Sequence, residues 1–199
     1  MPHQLWIVAG PNGSGKTTLT RQHLTGRLPV INPDDIAKSL NFTHPEDPAT
    51  AFLAGRRAVA LQKKFIAERR TFAVETTFSG NREIMLMKQA KAAGYKVNLV
   101  FVCIETPRVS IARIADRVTD GGHHVPGADV TRRYQRGLAN LPEGLALADR
   151  AWLLDNSRSR MRLVAAIERN QVKTMINALP RWVKTARLPA LEQAQGLSR

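Results

Sequence analysis

One eight-residue segment limits what this chain can fold into more than any other feature. The pattern G-x-x-x-x-G-K-[ST] is matched in full by Gly10-Pro11-Asn12-Gly13-Ser14-Gly15-Lys16-Thr17. A short apolar run at 5–9 precedes the segment, and a helical pattern over 16–23 follows it. A strand, a glycine turn and a helix in this order predict a phosphate-binding loop (P-loop). The glycines let backbone N–H groups turn inward, and the helix N-terminus adds positive partial charge.

This loop predicts nucleotide binding and assigns roles to its side chains. We expect Lys16 to contact the β- and γ-phosphates of ATP and the Thr17 hydroxyl to ligate Mg²⁺. A glycine turn before a helix explains the glycines but not the Lys-Thr pair. The predicted nucleotide-binding residues are Gly10, Asn12, Gly13, Ser14, Gly15, Lys16, Thr17 and Thr18.

Composition favours one soluble globular domain. The chain has 199 residues, of which 43% are hydrophobic and 23% charged, enough for one sizeable core. No apolar run approaches the length of a membrane span, and the N-terminus lacks the features of a signal peptide. Cys103 is the only cysteine, so we expect neither a disulfide framework nor a thiolate metal cluster. These features predict a cytoplasmic protein without membrane attachment.

The net charge of +14 is spread evenly along the chain. Residues 1–99 carry 14 basic and 7 acidic side chains, and residues 100–199 carry 16 and 9. Aromatic residues are only 6% of the chain and show no stacking pattern beside the basic ones. We therefore expect a basic surface with an anion-binding substrate site, and nucleic acid is not the expected partner.

Strand-like and helical segments alternate over most of the chain. The predicted strands are 5–9, 29–32, 71–76, 95–104 and 151–154. The predicted helices are 16–23, 48–70, 81–93, 107–118 and one capped by Asp129. This order predicts an α/β fold of the P-loop NTPase type, with a parallel sheet and helices on both faces.

Beyond Arg160 the sequence signals are weaker. We expect a helix after Arg160, an edge strand over 171–176 and a helix after Pro180. A single domain is predicted over 1–187, followed by a frayed tail over 188–199.

Carboxylates follow two of the predicted strands, where substrates bind in parallel sheets. Asp34 and Asp35 close the second strand, and one of them is a candidate for the base that accepts a proton from an acceptor hydroxyl. Asp34 is favoured, and the alternative is that the pair caps the next helix. Glu75 closes the third strand beside Thr76 and Thr77, and it is expected to bind the acceptor or, through water, Mg²⁺.

An arginine-rich segment over 113–136 is the predicted lid. Its arginines that bracket a glycine-containing loop are Arg113, Arg117, Arg132 and Arg133. Two helices joined by such a loop can bring cations onto a transferring phosphoryl group. Arg113 and Arg117 share a helix face, whereas the helix register does not decide between Arg132 and Arg133. His123 and His124 have no third ligand nearby, so loop or substrate contacts are favoured over a metal.

These motifs, taken in order, resemble the zeta-toxin-like P-loop kinases over residues 5–157. The segments that carry the resemblance are GPNGSGKTT, INPDD, ETTFSG, RVTDGGHHVP with RRY, and LLDNS. The resemblance implies phosphorylation of a small-molecule hydroxyl with ATP and Mg²⁺. In the toxins proper the acceptor is the sugar 3′-hydroxyl of UDP-N-acetylglucosamine, and an antitoxin protein that occludes the nucleotide site often accompanies the kinase.

The resemblance also places the family's functional residues on this sequence. The loop lysine falls on Lys16, the general-base aspartate on Asp34 and the substrate-binding glutamate on Glu75. The lid arginines fall on Arg117 and on Arg132 or Arg133.

The sequence departs from the family pattern after its third strand. The toxins tend to have a Glu-Gly-Thr turn with an arginine two residues later, whereas Glu75-Thr76-Thr77 is followed here by Phe78 and Ser79. From its length, the chain is also expected to lack the extended C-terminal part of the plasmid-borne toxins. These departures leave the acceptor open. One alternative, motivated by the net charge of +14, is a kinase of another nucleotide-linked metabolite or nucleic-acid end, and a second is an ATP-binding partner protein with little turnover.

Overall fold

The computed structural model describes residues 2–41, 43–119 and 125–196. Its strands are β1 (Gln4–Ala9), β2 (Val30–Ile31), β3 (Phe72–Thr76), β4 (Lys96–Cys103), β5 (Arg150–Asp155), β6 (Arg162–Glu168) and β7 (Gln171–Met175). Its helices are α1 (Lys16–His23), α2 (Pro33–Leu40), α3 (Pro48–Ala67), α4 (Arg82–Ala92), α5 (Pro107–Thr119), α6 (Gly127–Leu147), α7 (Arg181–Ala186) and α8 (Pro189–Gly196).

All seven strands form one sheet in the order β2-β3-β1-β4-β5-β6-β7. The first five strands are parallel, and β6 and β7 are antiparallel additions at one edge. Val8 lies opposite Glu75 on one neighbouring strand and Val100 on the other, so β1, β3 and β4 end at the same sheet edge. The predicted α/β fold with a mainly parallel sheet is confirmed, and this edge is where the predicted site residues meet.

The central strands are nearly continuous apolar runs because the sheet is buried around β1 and β4. Leu5, Ile7, Leu99 and Phe101 are fully buried in one large cluster, to which α3, α4, α6, α7 and α8 contribute side chains. A close approach at α6 fixes part of this core: a β-carbon at Gly144 would lie 2.7 Å from Phe78 Cζ. Glycine at this position therefore lets the helix pack directly on the ring.

Beyond β5 the expected helix is replaced by a strand. Residues 162–168 form β6, which pairs antiparallel with β5. Leu163, Val164 and Ile167 have the spacing of an amphipathic helix, but the available sheet edge at β5 decides the structure. The predicted edge strand β7 and the helix after Pro180 are confirmed.

The C-terminal tail is more ordered than the sequence predicts. Residues 189–196 form α8, and Leu188 and Leu191 are buried in the main core. The prediction of a frayed tail over 188–199 is therefore wrong for residues 188–196, because two leucines anchor the segment. Residues 197–199 lie outside the described part of the chain.

Helices α5 and α6 correspond to the predicted lid and are packed together. A small cluster of Ile114, Val125 and Val130 joins them. Helix α6 begins at Gly127 after Pro126, so Asp129 is not its cap as expected; it lies in the first turn. The connecting residues 120–124, with His123 and His124, lie outside the described residues. In the described chain no helix is both long and apolar enough to cross a bilayer.

Candidate functional site

The P-loop turns sharply between β1 and α1, and glycines make the turn possible. Gly10 has φ 140°, and a β-carbon there would lie 1.9 Å from the Val102 carbonyl oxygen. Gly15, the N-cap of α1, has φ 98° in the left-handed region. Asn12 Oδ1 and Ser14 Oγ are buried without a partner among the described residues. Two unsatisfied polar atoms inside a helix-terminal loop fit a polar ligand such as a polyphosphate.

Lys16 is the buried cation of this loop. Its side chain is 8% exposed, and Nζ donates to the Pro11 carbonyl oxygen at 2.8 Å. Burial lowers the pKa of Lys16 to about 8, while the Glu75 and Asp34 carboxylates act in the opposite direction and Arg117 lowers it further. Three residues that lie 18 to 101 positions from Lys16 in the chain therefore act on it electrostatically here.

Thr17 and Glu75 link the P-loop to the end of β3. The Thr17 hydroxyl donates to Glu75 Oε1 at 2.5 Å. Glu75 is 6% exposed, and its other oxygen, Oε2, is buried with no partner in the described structure. A hydroxyl and a carboxylate side by side are the hard oxygen ligands that Mg²⁺ prefers, directly or through water. The residues present therefore fit Mg²⁺ held jointly with a nucleotide; the described residues contain no self-sufficient cluster of three His, Cys, Asp or Glu ligands.

Asp34 and Asp35 lie in the first turn of α2, and neither caps the helix. The cap is Asn32, whose side chain accepts from the Asp34 backbone N–H at 2.9 Å. Because Asn32 performs the capping, the explanation of the Asp pair as an N-cap is wrong. Both carboxylates are exposed, and that of Asp34 acts on the buried Lys16 ammonium.

The turn after Glu75 is held by its own side chains. Thr76 Oγ1 donates to Glu83 Oε1 at 2.8 Å and accepts from the Phe78 N–H at 3.0 Å. Thr77 shares a hydrogen bond of 2.9 Å with Ser79. Glu83, which sequence reasoning missed, has its second carboxylate oxygen buried without a partner in the described chain. In sequence it has only the signature of an acidic residue in the first turn of a helix.

A groove of about 590 Å³ runs between α3 and α4. Its lining includes the exposed apolar side chains Phe52 and Met85 and the cations Arg56, Lys63 and Arg82. A smaller adjoining cavity of about 60 Å³ shares Arg82 with it and extends to Pro33 and Glu83. The groove therefore continues toward Asp34 and the turn after Glu75, and it combines apolar surface with positive charge.

The four predicted lid arginines do not occupy equivalent positions, and Arg117 is the one that acts on the buried Lys16 ammonium. Arg113 Nη1 donates to the Gly13 carbonyl oxygen at 3.4 Å, on the outside of the P-loop. Arg132 is exposed and paired with Asp129 at 2.9 Å. Arg133 is half-buried and lies one turn before Gly137, where a β-carbon would lie 3.0 Å from the Thr77 carbonyl oxygen. The helix face that carries Arg133 is therefore the one turned toward the end of β3.

Two further residues contact the P-loop from outside, and sequence reasoning missed both. The Ser110 hydroxyl, on α5, donates to the Asn12 carbonyl oxygen. Asn156, directly after β5, donates from Nδ2 to the Ser14 carbonyl oxygen at 2.9 Å. They are distant in sequence from the loop and contact its main chain, so no local sequence pattern indicates their role.

The fold and site together define a protein with a P-loop, kinase-like fold. A P-loop follows the central strand β1, and carboxylates follow the two strands β2 and β3 on one side of it. The match to the AAA domain family covers residues 5–141, more than half of the chain. The chain belongs to this family. A protein of Haemophilus influenzae described as uncharacterized is 37% identical over 139 residues, which is 66% of this chain and 97% of that protein.

Solved structures share the fold at low sequence identity. A chain of the AvrRxo1-ORF1:-ORF2 complex with ATP superposes with a TM-score of 0.71 at 18% identity, covering 94% of this chain and 64% of the other. A chain of the PezAT toxin–antitoxin system of Streptococcus pneumoniae gives 0.61 at 19% identity, covering 83% and 71%. A putative kinase of Chloroflexus aurantiacus gives 0.55 at 21% identity, covering 69% and 80%. This chain thus spans less than two thirds of the AvrRxo1 complex chain.

Proposed function

We propose that this protein is an ATP-dependent kinase of the zeta-toxin type that phosphorylates a hydroxyl of a nucleotide-sugar such as UDP-N-acetylglucosamine. The observation that carries the proposal is the hydrogen bond of 2.5 Å between Thr17 and Glu75. It joins the predicted Mg²⁺ ligand of the P-loop to the predicted acceptor-binding carboxylate. Phosphate donor and acceptor would meet there, as in-line phosphoryl transfer requires.

Each side chain has a distinct task in this proposal. Lys16 binds the β- and γ-phosphates, and Asp34 accepts the proton of the acceptor hydroxyl. Glu75 orients the acceptor, while Arg117 and Arg133 neutralise charge on the transferring phosphoryl group.

Thr17 would hold Mg²⁺, which supplies charge neutralisation on the phosphate oxygens when bound. Thr76 positions the turn through its bond to Glu83.

The groove between α3 and α4 supports an anionic, partly apolar acceptor. Arg56, Lys63 and Arg82 offer cations for phosphate oxygens, and Phe52 offers an aromatic surface. A nucleotide-sugar combines a diphosphate, a base and a sugar, so it matches these features. The continuation of the groove to Glu83 would bring the sugar toward Asp34.

A protein partner of antitoxin type is part of the proposal. Two of the structural neighbours were solved from two-protein systems, AvrRxo1-ORF1:-ORF2 and the PezAT toxin–antitoxin system. This support comes from fold alone, and the same neighbours include a complex with ATP. Localisation in the cytoplasm, where nucleotide-sugars are available, is the corresponding proposal for this chain.

The decisive experiment is an incubation with Mg²⁺-ATP and a panel of UDP-sugars, followed by mass spectrometry. Phosphorylation adds about 80 Da, the mass of one transferred HPO₃ group. The gain should disappear in Lys16→Ala and persist in Lys38→Ala, which removes an exposed lysine of α2. If no UDP-sugar gains mass while ATP is still bound, the nucleotide-sugar is the wrong acceptor. Tight ATP binding without transfer to any metabolite, and a copurifying small protein, would indicate a binding role instead.

A further inference from the structure

Three consecutive carbonyl groups of the P-loop are held from outside by side chains. Ser110 donates to the carbonyl oxygen of Asn12, Arg113 to that of Gly13 at 3.4 Å, and Asn156 to that of Ser14 at 2.9 Å. Ser110 is fully buried, and a β-carbon at Gly15 would lie 2.6 Å from Asn156 Nδ2. These side chains therefore lie directly against the loop.

Peptide geometry connects these outer contacts to the inner surface of the loop. In a trans peptide the carbonyl of one residue and the N–H of the next point in opposite directions. Holding the Asn12 and Ser14 carbonyls outward therefore directs the N–H groups of Gly13 and Gly15 inward. The Gly13 peptide shows the same arrangement, because the Ser14 N–H turns to the Pro11 carbonyl oxygen at 3.3 Å.

We propose that Asn156 and Ser110 are positioning residues that hold the P-loop in its phosphate-binding conformation. Arg113 makes a longer contact of the same kind, and we call the three contacts together the brace of the loop. Glycine-rich segments lose much conformational entropy on ordering, so an unbraced loop would spend part of its time with these N–H groups turned away. The brace lowers this ordering cost before the phosphate arrives, and its effect is on nucleotide affinity. The proposal needs only that the P-loop binds nucleotide, and it does not depend on the acceptor.

The position of Asn156 is itself fixed by the sheet. Its backbone N–H donates to the Cys103 carbonyl oxygen at 2.8 Å, which extends the pairing of β5 with β4. The preceding residue, Asp155, is 2% exposed and accepts from Arg162 at 3.0 Å. A rigid strand end thus presents the amide to the loop. The LLDNS segment, which the proposed kinase chemistry does not use, thereby acquires a role.

The contacts of Ser110 and Arg113 also affect the position of helix α5. Both belong to α5, the helix that also carries Arg117 near its C-terminal end. The contacts to the P-loop fix the beginning of this helix, and the predicted lid arginine lies less than two turns beyond Arg113. The same contacts therefore set both the loop conformation and the starting position of the lid helix.

The test compares substitutions that remove the hydrogen bonds to the P-loop carbonyls. Asn156→Asp preserves size but places a carboxylate oxygen against the Ser14 carbonyl oxygen, whereas Asn156→Ala only removes the donor. We expect the Kd for Mg²⁺-AMP-PNP, measured by isothermal titration calorimetry, to rise at least about tenfold for Asn156→Asp and about threefold to tenfold for Asn156→Ala. Both substitutions remove the donor, and Asn156→Asp also adds a negative charge that repels the polyphosphate, so the uncharged variants Asn156→Ala and Ser110→Ala carry the test of the hydrogen bonds.

A charge-neutral variant and a matched control complete the experiment. Ser110→Ala should weaken AMP-PNP binding about threefold to tenfold, whereas Ser39→Ala, on the exposed face of α2, should leave Kd within about twofold. Thermal unfolding identifies any variant that has lost its fold. If an Asn156 variant proves unstable, the result for Ser110→Ala decides the test. Wild-type affinity in folded Asn156→Ala and Ser110→Ala would overturn the proposal. Because the probe is a nucleotide, failure to find a phosphorylated acceptor leaves this result unaffected.

Discussion

We expect Lys16 to make nucleotide affinity depend on pH in a range that can be tested. Burial lowers the pKa of Lys16 to about 8, so the side chain loses its charge at a pH where an exposed lysine remains an ammonium. The ammonium is the form that attracts phosphate. We expect Kd for Mg²⁺-AMP-PNP to change little from pH 6 to 7 and to rise above pH 8, by up to about tenfold per pH unit, in calorimetric titrations.

A pair of lysine variants isolates this effect from other titrations. Lys16→Ala should bind weakly with a flat profile over the same pH range, whereas Lys38→Ala should retain the wild-type profile because Lys38 is exposed on α2. A wild-type affinity that is constant from pH 7 to pH 9 would contradict the assignment of this pKa to the binding step.

The two neighbouring arginines of α6 are expected to differ in their effect on catalysis. Arg133 is half-buried on the face turned toward Thr77, whereas Arg132 is exposed and paired with Asp129. Arg133→Ala should lower kcat for phosphoryl transfer about a hundredfold or more, because a charge-stabilising donor is lost. Arg132→Ala should change kcat by less than about threefold. Steady-state kinetics with saturating ATP measures both, and equal losses would mean that neither arginine is singled out by the helix face.

The residues that could be predicted from the sequence are those whose chemistry has a local signature. Lys16 and Thr17 follow from the glycine pattern, and Asp34 and Glu75 follow from carboxylates at strand ends. Glu83, Ser110 and Asn156 could not be found this way. Asn156 contacts a main-chain carbonyl 142 residues away, and such a contact depends on how β5 is placed beside β4. A main-chain partner also requires no particular residue type, so the sequence carries no matching signal.

Helix α6 offers a test of packing at the level of a whole element. Alanine normally stabilises a helix interior relative to glycine by about 1 kcal/mol. At Gly144, however, the added β-carbon would lie 2.7 Å from Phe78 Cζ, and Phe78 is fully buried. Gly144→Ala should therefore lower the free energy of unfolding by about 1–3 kcal/mol in urea titrations.

Gly55 in α3 is the matched control for this substitution. Among the described residues, a β-carbon there meets only Arg82 Nη1, at 3.8 Å, which is ordinary contact. Gly55→Ala should therefore raise the free energy of unfolding by about 0.5–1 kcal/mol. If both variants were stabilised, the ring of Phe78 would have to move aside without cost, and the close packing of α6 would be refuted.

Elements were predictable where local pattern and long-range pairing agree. The bounds of α1 match the prediction because the P-loop sets its start, and β4 is close to its predicted range because its apolar run is long. For β6 the two signals conflict: Leu163, Val164 and Ile167 favour a helix, but the segment pairs with β5 after the connection 156–161. Pairing partners are not encoded in the local pattern, so the antiparallel edge had to come from the structure.

At the scale of the whole molecule, the C-terminal segment completes the core rather than extending from it. Trp182 of α7 is 1% exposed, lies with its ring centroid 6.0 Å from that of Phe101, and donates from Nε1 to Asp155 Oδ1 at 3.2 Å. Asp155 also accepts from Arg162. One buried carboxylate therefore joins β5, β6 and α7, next to the strand end that carries Asn156.

This arrangement predicts that fold stability and nucleotide affinity can be separated at Trp182. Trp182→Phe retains an aromatic ring against Phe101 but removes the donor to a buried carboxylate. The free energy of unfolding should fall by about 2 kcal/mol in urea titrations, the usual range for a hydrogen bond to a charged group. Kd for Mg²⁺-AMP-PNP should stay within about twofold, because the Asn156 backbone N–H remains bonded to Cys103 at 2.8 Å.

Trp152 provides the comparison for the tryptophan substitution. It is half-buried and stacked on Trp6 with ring centroids 5.7 Å apart, so Trp152→Phe should lower the free energy of unfolding by less than about 1 kcal/mol. If Trp182→Phe weakened AMP-PNP binding as much as Asn156→Ala, the strand end would not be rigid enough to isolate the P-loop from the C-terminal helices. If Trp182→Phe instead lowers the free energy of unfolding but leaves Kd for AMP-PNP unchanged, the contacts that anchor α7 are independent of those that hold the P-loop.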